Sequence, residues 1–247
     1  IEKHAKTYYG KAKDFQTFIY YSQLTQRKAV STAIAGHRAD APRCMGTIFW
    51  QLNDCWPAPT WSSLDDHNNW KALHYEVQDD YRSIAVLEQI KDDTHYLVLT
   101  SDLPEDTLVT VQMEFYDLNG RLQDTQRRTY PLQNNTLQVL SALSPEKQGF
   151  VKVIIDKQYE RLFTFVEKRK TPIPKINFQI EGSDPNAKTA ILRIENLEPL
   201  VDLWLFSAQQ GLHFKENFKT FLPGQHVLEF TYENQLPTLE EIRYLLR

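Results

Sequence analysis

Near residue 83 the hydrophobic pattern of this chain changes period, and that change limits the fold more than any other feature. Before it, apolar residues recur at three- and four-residue steps. After it, they come in short β-branched runs broken by turn residues. The segment opening at Asp14 carries Phe15, Phe18, Ile19, Leu24, Ala29, Val30, Ala33 and Ile34, mostly on one helical face, with Asp14 as the N-cap and Gly36 and Pro42 as closing signals. Residues 1 to about 40 therefore read as helix. Cys44 to Trp50 is short and almost continuously apolar, the pattern of a strand buried on both faces in a parallel sheet. After a loop rich in Pro and Trp, Trp70 to Asp80 is predicted to be helical, with Leu73, Val77 and Tyr81 on the apolar stripe and Lys71, Glu76 and Asp79 off it. Helix, buried strand, long loop and helix make the end of an α/β unit.

From residue 83 the pattern is all-β. Segments 84–90, 96–100, 108–116, 120–127, 136–140, 150–156 and 161–167 read as strands, separated by turn signals at Asp92-Asp93, Leu103-Pro104, Asn119-Gly120, Asn134-Asn135 and Ser144-Pro145. Asn119-Gly120 between two alternating runs is a hairpin signature. Strands at this spacing predict an antiparallel Ig-like β-sandwich. Lys168 to Pro174 is charged and then proline-rich, as in a linker. Strands at 176–181, 189–196, 201–208 and 225–232 then predict a second, smaller sandwich, with turns at 183–186 and 222–224.

Composition removes several classes of function. The 247 residues carry a formal charge of −4 with both signs mixed, so no nucleic-acid partner is expected. The longest apolar runs, such as Phe150 to Ile155, fall far short of the ~20 residues that span a bilayer, so no membrane partner is expected either. Cys44 and Cys55 show no metal or redox spacing and are expected to be reduced and buried. The seven histidines form no HExxH, and there is no P-loop, dinucleotide fingerprint or GxSxG elbow, so no cofactor is expected. Asn134-Asn135-Thr136 is one glycosylation sequon. The chain opens on Ile1, which suggests that a longer protein has been cut.

The chemistry concentrates between Phe49 and Tyr75, which hold four of the five tryptophans, Trp50, Trp56, Trp61 and Trp70. Two readings compete: a pinned domain junction, or the wall of a site that binds a flat ligand such as a sugar ring. Trp50, at the carboxyl end of the expected strand, has the position of a site residue in an α/β barrel. Gln51, Asn53 and Asp54 beside it add directional hydrogen-bonding groups. Hydrolysis of a glycoside needs two carboxylates about 5–9.5 Å apart. The adjacent pairs Asp65-Asp66, Asp79-Asp80 and Asp92-Asp93 fit caps and turns better. Asp54 has an aromatic setting but no second carboxylate beside it, and His74 reads as a packing or hydrogen-bonding residue. The chain offers one wall of a site without a complete catalytic set.

The run Cys44-Met45-Gly46-Thr47-Ile48-Phe49-Trp50-Gln51-Leu52-Asn53-Asp54, continuing through Trp56-Pro57 and Trp61-Ser62-Ser63 to Trp70-Lys71-Ala72-Leu73-His74-Tyr75, resembles the β-mannosidases of glycoside hydrolase family 2. It differs from that family's pattern mainly at Thr60, where Ser is usual. Phe218 to Gly224 resembles a segment of the family's last sandwich, so the resemblance covers essentially the whole chain. It implies that residues 1–82 are the C-terminal portion of a catalytic (β/α)8 TIM barrel, with its final strand at about 45–50. Residues 83–171 would then be an Ig-like β-sandwich and 172–247 a smaller C-terminal one. A barrel takes about 250 residues, and the family's nucleophile and acid/base glutamates would lie upstream, because no Ser-Glu-Phe-Gly-like motif occurs here. By resemblance the substrate is a β-mannoside or manno-oligosaccharide, hydrolysed with retention by the intact enzyme, and no metal or organic cofactor is implied. Trp50 would be the platform for the terminal mannose. Asn53 and Asp54 would line or brace that edge, and Trp56 and Trp61 would shape the loop near the aglycone. The sandwiches would buttress the barrel or mediate homodimer contacts. Members of the family occur in lysosomes and in bacterial periplasm or cytosol, and nothing in the sequence selects among these. The rival reading is a carbohydrate-binding module whose β region offers Tyr96, Tyr130, Tyr159, Trp204 and Phe214.

Overall fold

The computed structural model describes residues 1–144, 148–166, 174–208 and 211–247. The chain divides into two compact units. One comprises Ile1–Arg27, Trp50–Tyr75 and Lys168–Arg247; the other comprises Lys28–Phe49 and Glu76–Glu167. Three helices, α1 (Glu2–Tyr9), α2 (Phe15–Ala39) and α3 (Ala72–Asp80), precede the strands. Asp14 caps α2 as predicted, its Oδ1 accepting the Thr17 amide at 2.7 Å. The single helix expected to residue 40 is broken at Gly10, whose φ of +89° only glycine adopts readily. Gly36 does not close α2, which runs on to Ala39, because a helix that gains packing tolerates the modest propensity loss of one glycine.

In the second unit, strands β1 (Ile84–Lys91), β2 (Thr94–Ser101) and β5 (Thr136–Leu143) form one antiparallel sheet. Strands β3 (Thr107–Tyr116), β4 (Leu122–Leu132), β6 (Gly149–Ile155) and β7 (Tyr159–Phe165) form the other, in the order β4-β3-β6-β7. All seven contribute to one core, including Leu97, Leu99, Val109, Val111, Met113, Leu132, Leu140, Val153 and Phe163. This is the expected antiparallel sandwich. β2 is buried on both faces because Ala35 of α2 lies over Ala85, Leu87 and Val98 on its outer side. The β3–β4 hairpin forms as predicted, but its turn falls one residue earlier. The Asp117 amide bonds the Arg121 carbonyl, and Gly120 takes φ +76°. β4 is an edge strand. Asp124, Gln126 and Arg128 pair with Phe115, Met113 and Val111, on the face those residues turn to the core. Asp124 and Arg128 are exposed, and charged side chains along an edge disfavour further strand addition.

In the first unit, β8 (Ile176–Asp184), β9 (Thr189–Asn196), β11 (Leu212–Phe214) and β13 (Gly224–Tyr232) form a sheet in the order β11-β13-β9-β8. It faces a second sheet of β12 (Lys219–Phe221), β10 (Leu200–Ser207) and β14 (Ile242–Leu245) across a core of Leu192, Ile194, Leu203, Leu205, Phe214, Leu228, Phe230 and Ile242. The outer side of β10 is covered as well. Tyr20 and Leu24 of α2 and Ala72 and Tyr75 of α3 cluster with Phe218 and Trp204.

The strand expected at 45–50 does not form. Residues 44–50 are irregular, and among the described residues no strand pairs with them. Ile48 is 100% exposed, and Met45 and Trp50 are exposed too. An apolar run becomes a buried strand only where neighbours complete its ladder and cover both faces, and the strands described here pair among themselves. Cys44 is half-buried and Cys55 exposed, so the expected burial is corrected while both are free thiols. The expected linker, Lys168 to Pro174, lies outside the described residues except for Pro174. No described helix is long and apolar enough to cross a membrane.

Candidate functional site

The Trp-rich loop is ordered by its own backbone. The Ser63 amide donates to the Gln51 carbonyl at 3.0 Å, the Leu64 amide to the Leu52 carbonyl at 2.8 Å, and the Lys71 amide to the Ser63 carbonyl at 2.9 Å. Three short limbs, around residues 51–53, 63–65 and 69–71, are thereby stitched together, with isolated bridges at Asn53–Leu64 and Leu64–Trp70. α2 reaches the same loop: Gln26 Nε2 donates to the Trp61 carbonyl at 2.6 Å, and Gln23 Oε1 accepts the Ala72 amide at 3.0 Å at the start of α3.

Beneath these limbs is a buried polar cluster. Lys71 Nζ lies 2.6 Å from Asp54 Oδ2, with side chains only 10% and 4% exposed. Thr60 Oγ1 donates to Asp54 Oδ1 at 2.5 Å, and Ser62 Oγ lies 2.5 Å from Asp54 Oδ2 and 2.6 Å from Lys71 Nζ. Burial alone would raise the Asp54 carboxyl; hydrogen bonds from Lys71, Ser62 and Thr60 outweigh it and hold the carboxyl below its ordinary value. The cluster's contribution to folding is therefore expected to persist at mildly acidic pH and to be lost as pH falls through that lowered value, which tryptophan emission between pH 7 and 3 would follow.

The predicted site residues take different positions. Trp50, Trp56 and Trp61 are 73%, 66% and 63% exposed. Asn53 is exposed at the surface, its Nδ2 3.3 Å from the Asp54 carbonyl. Asp54 is buried with both oxygens bound within the chain. Trp70 is half-buried, its ring centroid 4.4 Å from that of His74 and 5.0 Å from that of His213, both in edge-on contacts. His74 has a packing and hydrogen-bonding role, with Nδ1 3.0 Å from Ser63 Oγ. Burial, and then the neighbouring His213, push its pKa down. Lys71, read from the pattern as a residue off the apolar stripe, is buried, and with Thr60 and Ser62 it is what the sequence reading missed. The WKALHY run marks the lysine, but its carboxylate partner is distant in sequence.

The adjacent carboxylates are structural. Asp65 Oδ1 accepts the His67 and Asn69 amides, a turn, and Asp66 pairs with His67 at 3.2 Å. Asp65, Asp66 and His67 are also the one trio among the described residues whose ligand atoms cluster within 4.8 Å, but the Asp65 bonds tie it to that turn. Asp92 and Asp93 both take positive φ in the β1–β2 turn, and Asp80 faces Arg161.

No family model matches the chain. Among curated proteins it is 26% identical over 220 residues to β-mannosidase A of Aspergillus terreus, covering 84% of this chain and 22% of that protein. It is 34% identical over 113 residues to β-mannosidase A of Aspergillus fumigatus, covering 44% of this chain and 12% of that protein. It is 32% identical over 99 residues to the β-mannosidase of Capra hircus, covering 37% of this chain and 11% of that protein. The chain thus spans about a fifth or less of the length of these relatives. Its fold superposes on a β-D-mannosidase from Dictyoglomus thermophilum with a TM-score of 0.76 at 19% identity, over 99% of this chain and 31% of that one. An exo-chitosanase of Amycolatopsis orientalis follows at TM-score 0.67 and 12% identity, over 93% of this chain and 33% of that one. By sequence and by fold together, the chain is similar to a C-terminal part of the β-mannosidases.

Proposed function

We propose that the chain is the C-terminal part of a retaining, exo-acting β-mannosidase of glycoside hydrolase family 2, and that its Trp loop is one wall of the sugar subsite. The observation that carries this reading is the exposure of Trp50, Trp56 and Trp61 on a loop whose backbone is fixed. A packed junction would bury those rings, whereas a sugar platform needs their faces free. Trp50 is the platform for the terminal mannose, Asn53 offers an amide at its edge, Trp56 and Trp61 face the aglycone, and Asp54 braces the loop from beneath. Residues 1–82 are the end of a catalytic barrel, 83–171 an Ig-like sandwich and 172–247 a smaller one. The exposed strand-length run around Met45 and Ile48 supports the barrel assignment, since its neighbours would come from the rest of that barrel. In the intact enzyme, one glutamate attacks the anomeric carbon while the other protonates the leaving oxygen and then activates water. Neither is in this chain, so the chain alone does not turn over.

Against the binding-module reading, Phe214 is buried in the core of its own sandwich, and Tyr130 and Tyr159 pack against the core of theirs. Trp204 stacks on Tyr20 and Phe218, and Tyr96 packs with the α2-facing cluster. Phe214 is buried and the other four are half-buried, unlike the exposed Trp50, Trp56 and Trp61.

In the intact enzyme, Trp50→Ala is expected to lower kcat/KM for an aryl β-mannoside about 100-fold, through lost stacking and orientation. Steady-state kinetics test this, and near-unchanged kcat/KM would assign Trp50 to packing. Measurable hydrolysis by the isolated chain would contradict its proposed inactivity.

A further inference from the structure

We infer that the buried Lys71–Asp54 pair, with the Thr60 and Ser62 hydroxyls, is a positioning device that presets Trp56 and Trp61 for the sugar aglycone; the inference rests on the functional reading above. A buried ion pair is a poor way to gain stability, because apolar residues of the same volume often serve as well. What this one supplies is geometry. Asp54 Oδ1 holds Thr60 at 2.5 Å, closing residues 54–60 into a ring that carries Trp56. Asp54 Oδ2 holds Ser62 at 2.5 Å and Lys71 at 2.6 Å, so Trp61 is flanked on both sides by residues tied to one carboxylate.

The two indoles are exposed, so packing of the rings cannot orient them; the backbone below must. A loop already held in its binding geometry loses less freedom when ligand arrives. Trp50 is held otherwise, through Gln51 and Leu52, whose carbonyls accept from Ser63. The device therefore acts on the aglycone side rather than on the terminal-mannose side. The 2.6 Å contact between Ser62 Oγ and Lys71 Nζ resembles a serine–lysine nucleophile pair, but Ser62 is fully buried and no substrate reaches it.

The test compares Thr60→Val, which keeps the volume and removes the hydroxyl, with Thr60→Ser, which keeps the hydroxyl. In the 247-residue chain, hydrogen exchange of the amides between residues 54 and 64 is expected to quicken about tenfold in T60V, the loss of one charge-assisted hydrogen bond, and to be unchanged in T60S. Protection of β9 and β13 stays as it was. In the intact enzyme, T60V raises KM for manno-oligosaccharides about tenfold with kcat largely kept, does little to KM for a small-aglycone mannoside, and T60S behaves as the parent. Unchanged exchange in T60V overturns the device. Faster exchange with unchanged KM makes the network merely structural and overturns its positioning role. Absence of any β-mannoside turnover by the unmodified intact enzyme sinks the functional reading, and is told apart by the exchange data, which involve no sugar.

Discussion

Arg161→Met is expected to destabilise the β1–β7 unit by about 3–5 kcal/mol at neutral pH, because it leaves the buried Asp80 carboxylate without its cation. The guanidinium donates to Glu76 Oε1 at 2.5 Å, lies 2.8 Å from Asp80 Oδ1, and donates to the Val86 carbonyl at 2.9 Å. Its side chain is 9% exposed and that of Asp80 is fully buried. Burial pushes the Asp80 carboxyl up to about 6; Arg161 pulls it down and Glu76 adds to the rise. Because the folded value lies above the unfolded one, the folded state holds a proton that the unfolded state has released. Asp80 therefore costs stability progressively as pH rises from about 4 to about 6. Loss of Arg161 removes the largest influence opposing that penalty and leaves only the Ser31 hydrogen bond against it, so the damage should be larger at pH 8 than at pH 5. Asp80→Asn should stay within about 1 kcal/mol of the parent at neutral pH, since it removes one of two carboxylates sharing a guanidinium and keeps the shape. Hydrogen exchange of β6 amides in urea at the two pH values measures both. Equal destabilisation by R161M at pH 5 and pH 8 would show that the ion cluster does not set this unit's pH dependence.

Most strands were legible because alternation is a local property. β9, β3 and β13 fall within a residue or two of their predicted ends, since each has one face on a core and one in water. β11, β12 and β14 were not legible. They span only three or four residues, too short for a period, and are strands only through β13 and β10 beside them. The apolar run at 44–50 failed for the opposite reason: its composition is that of a buried strand, but burial depends on neighbours. In the loop, the tryptophans were visible as a cluster, yet their exposure was not, because an indole in an irregular segment can face either way. Lys71 was misread because a charged residue is placed at the surface by default, and Asp54, which makes its burial tolerable, is joined to it only by the fold.

Asp202→Ala is expected to cost the other unit about 3–5 kcal/mol, with Asp202→Asn losing about 1–2 kcal/mol less. Asp202 is buried where β10 shifts register between Leu200 and Leu203, and it takes φ +53°. That conformation disfavours alanine and suits asparagine. Its carboxylate serves two cations: Arg27 Nη2 at 2.7 Å from Oδ1 and Arg247 Nε at 2.8 Å from Oδ2. Its carbonyl accepts the Tyr20 hydroxyl at 2.6 Å, and Arg27 also donates to the Phe218 carbonyl at 2.8 Å. Removing the carboxylate leaves two partly buried guanidinium groups with no anion between them, so repulsion adds to lost hydrogen bonding. Asparagine keeps the backbone and a carbonyl acceptor but not the charge, which places it between parent and alanine. All five tryptophans belong to this unit, and Trp204 stacks on Tyr20 at 6.0 Å, so urea unfolding followed by tryptophan fluorescence reads the loss where it occurs. If D202A unfolds at the parental urea midpoint, the Asp202 carboxylate does not hold the two arginines, and α2 is joined to this sandwich by its aromatic cluster and by the Tyr20 and Arg27 bonds to the Asp202 and Phe218 carbonyls.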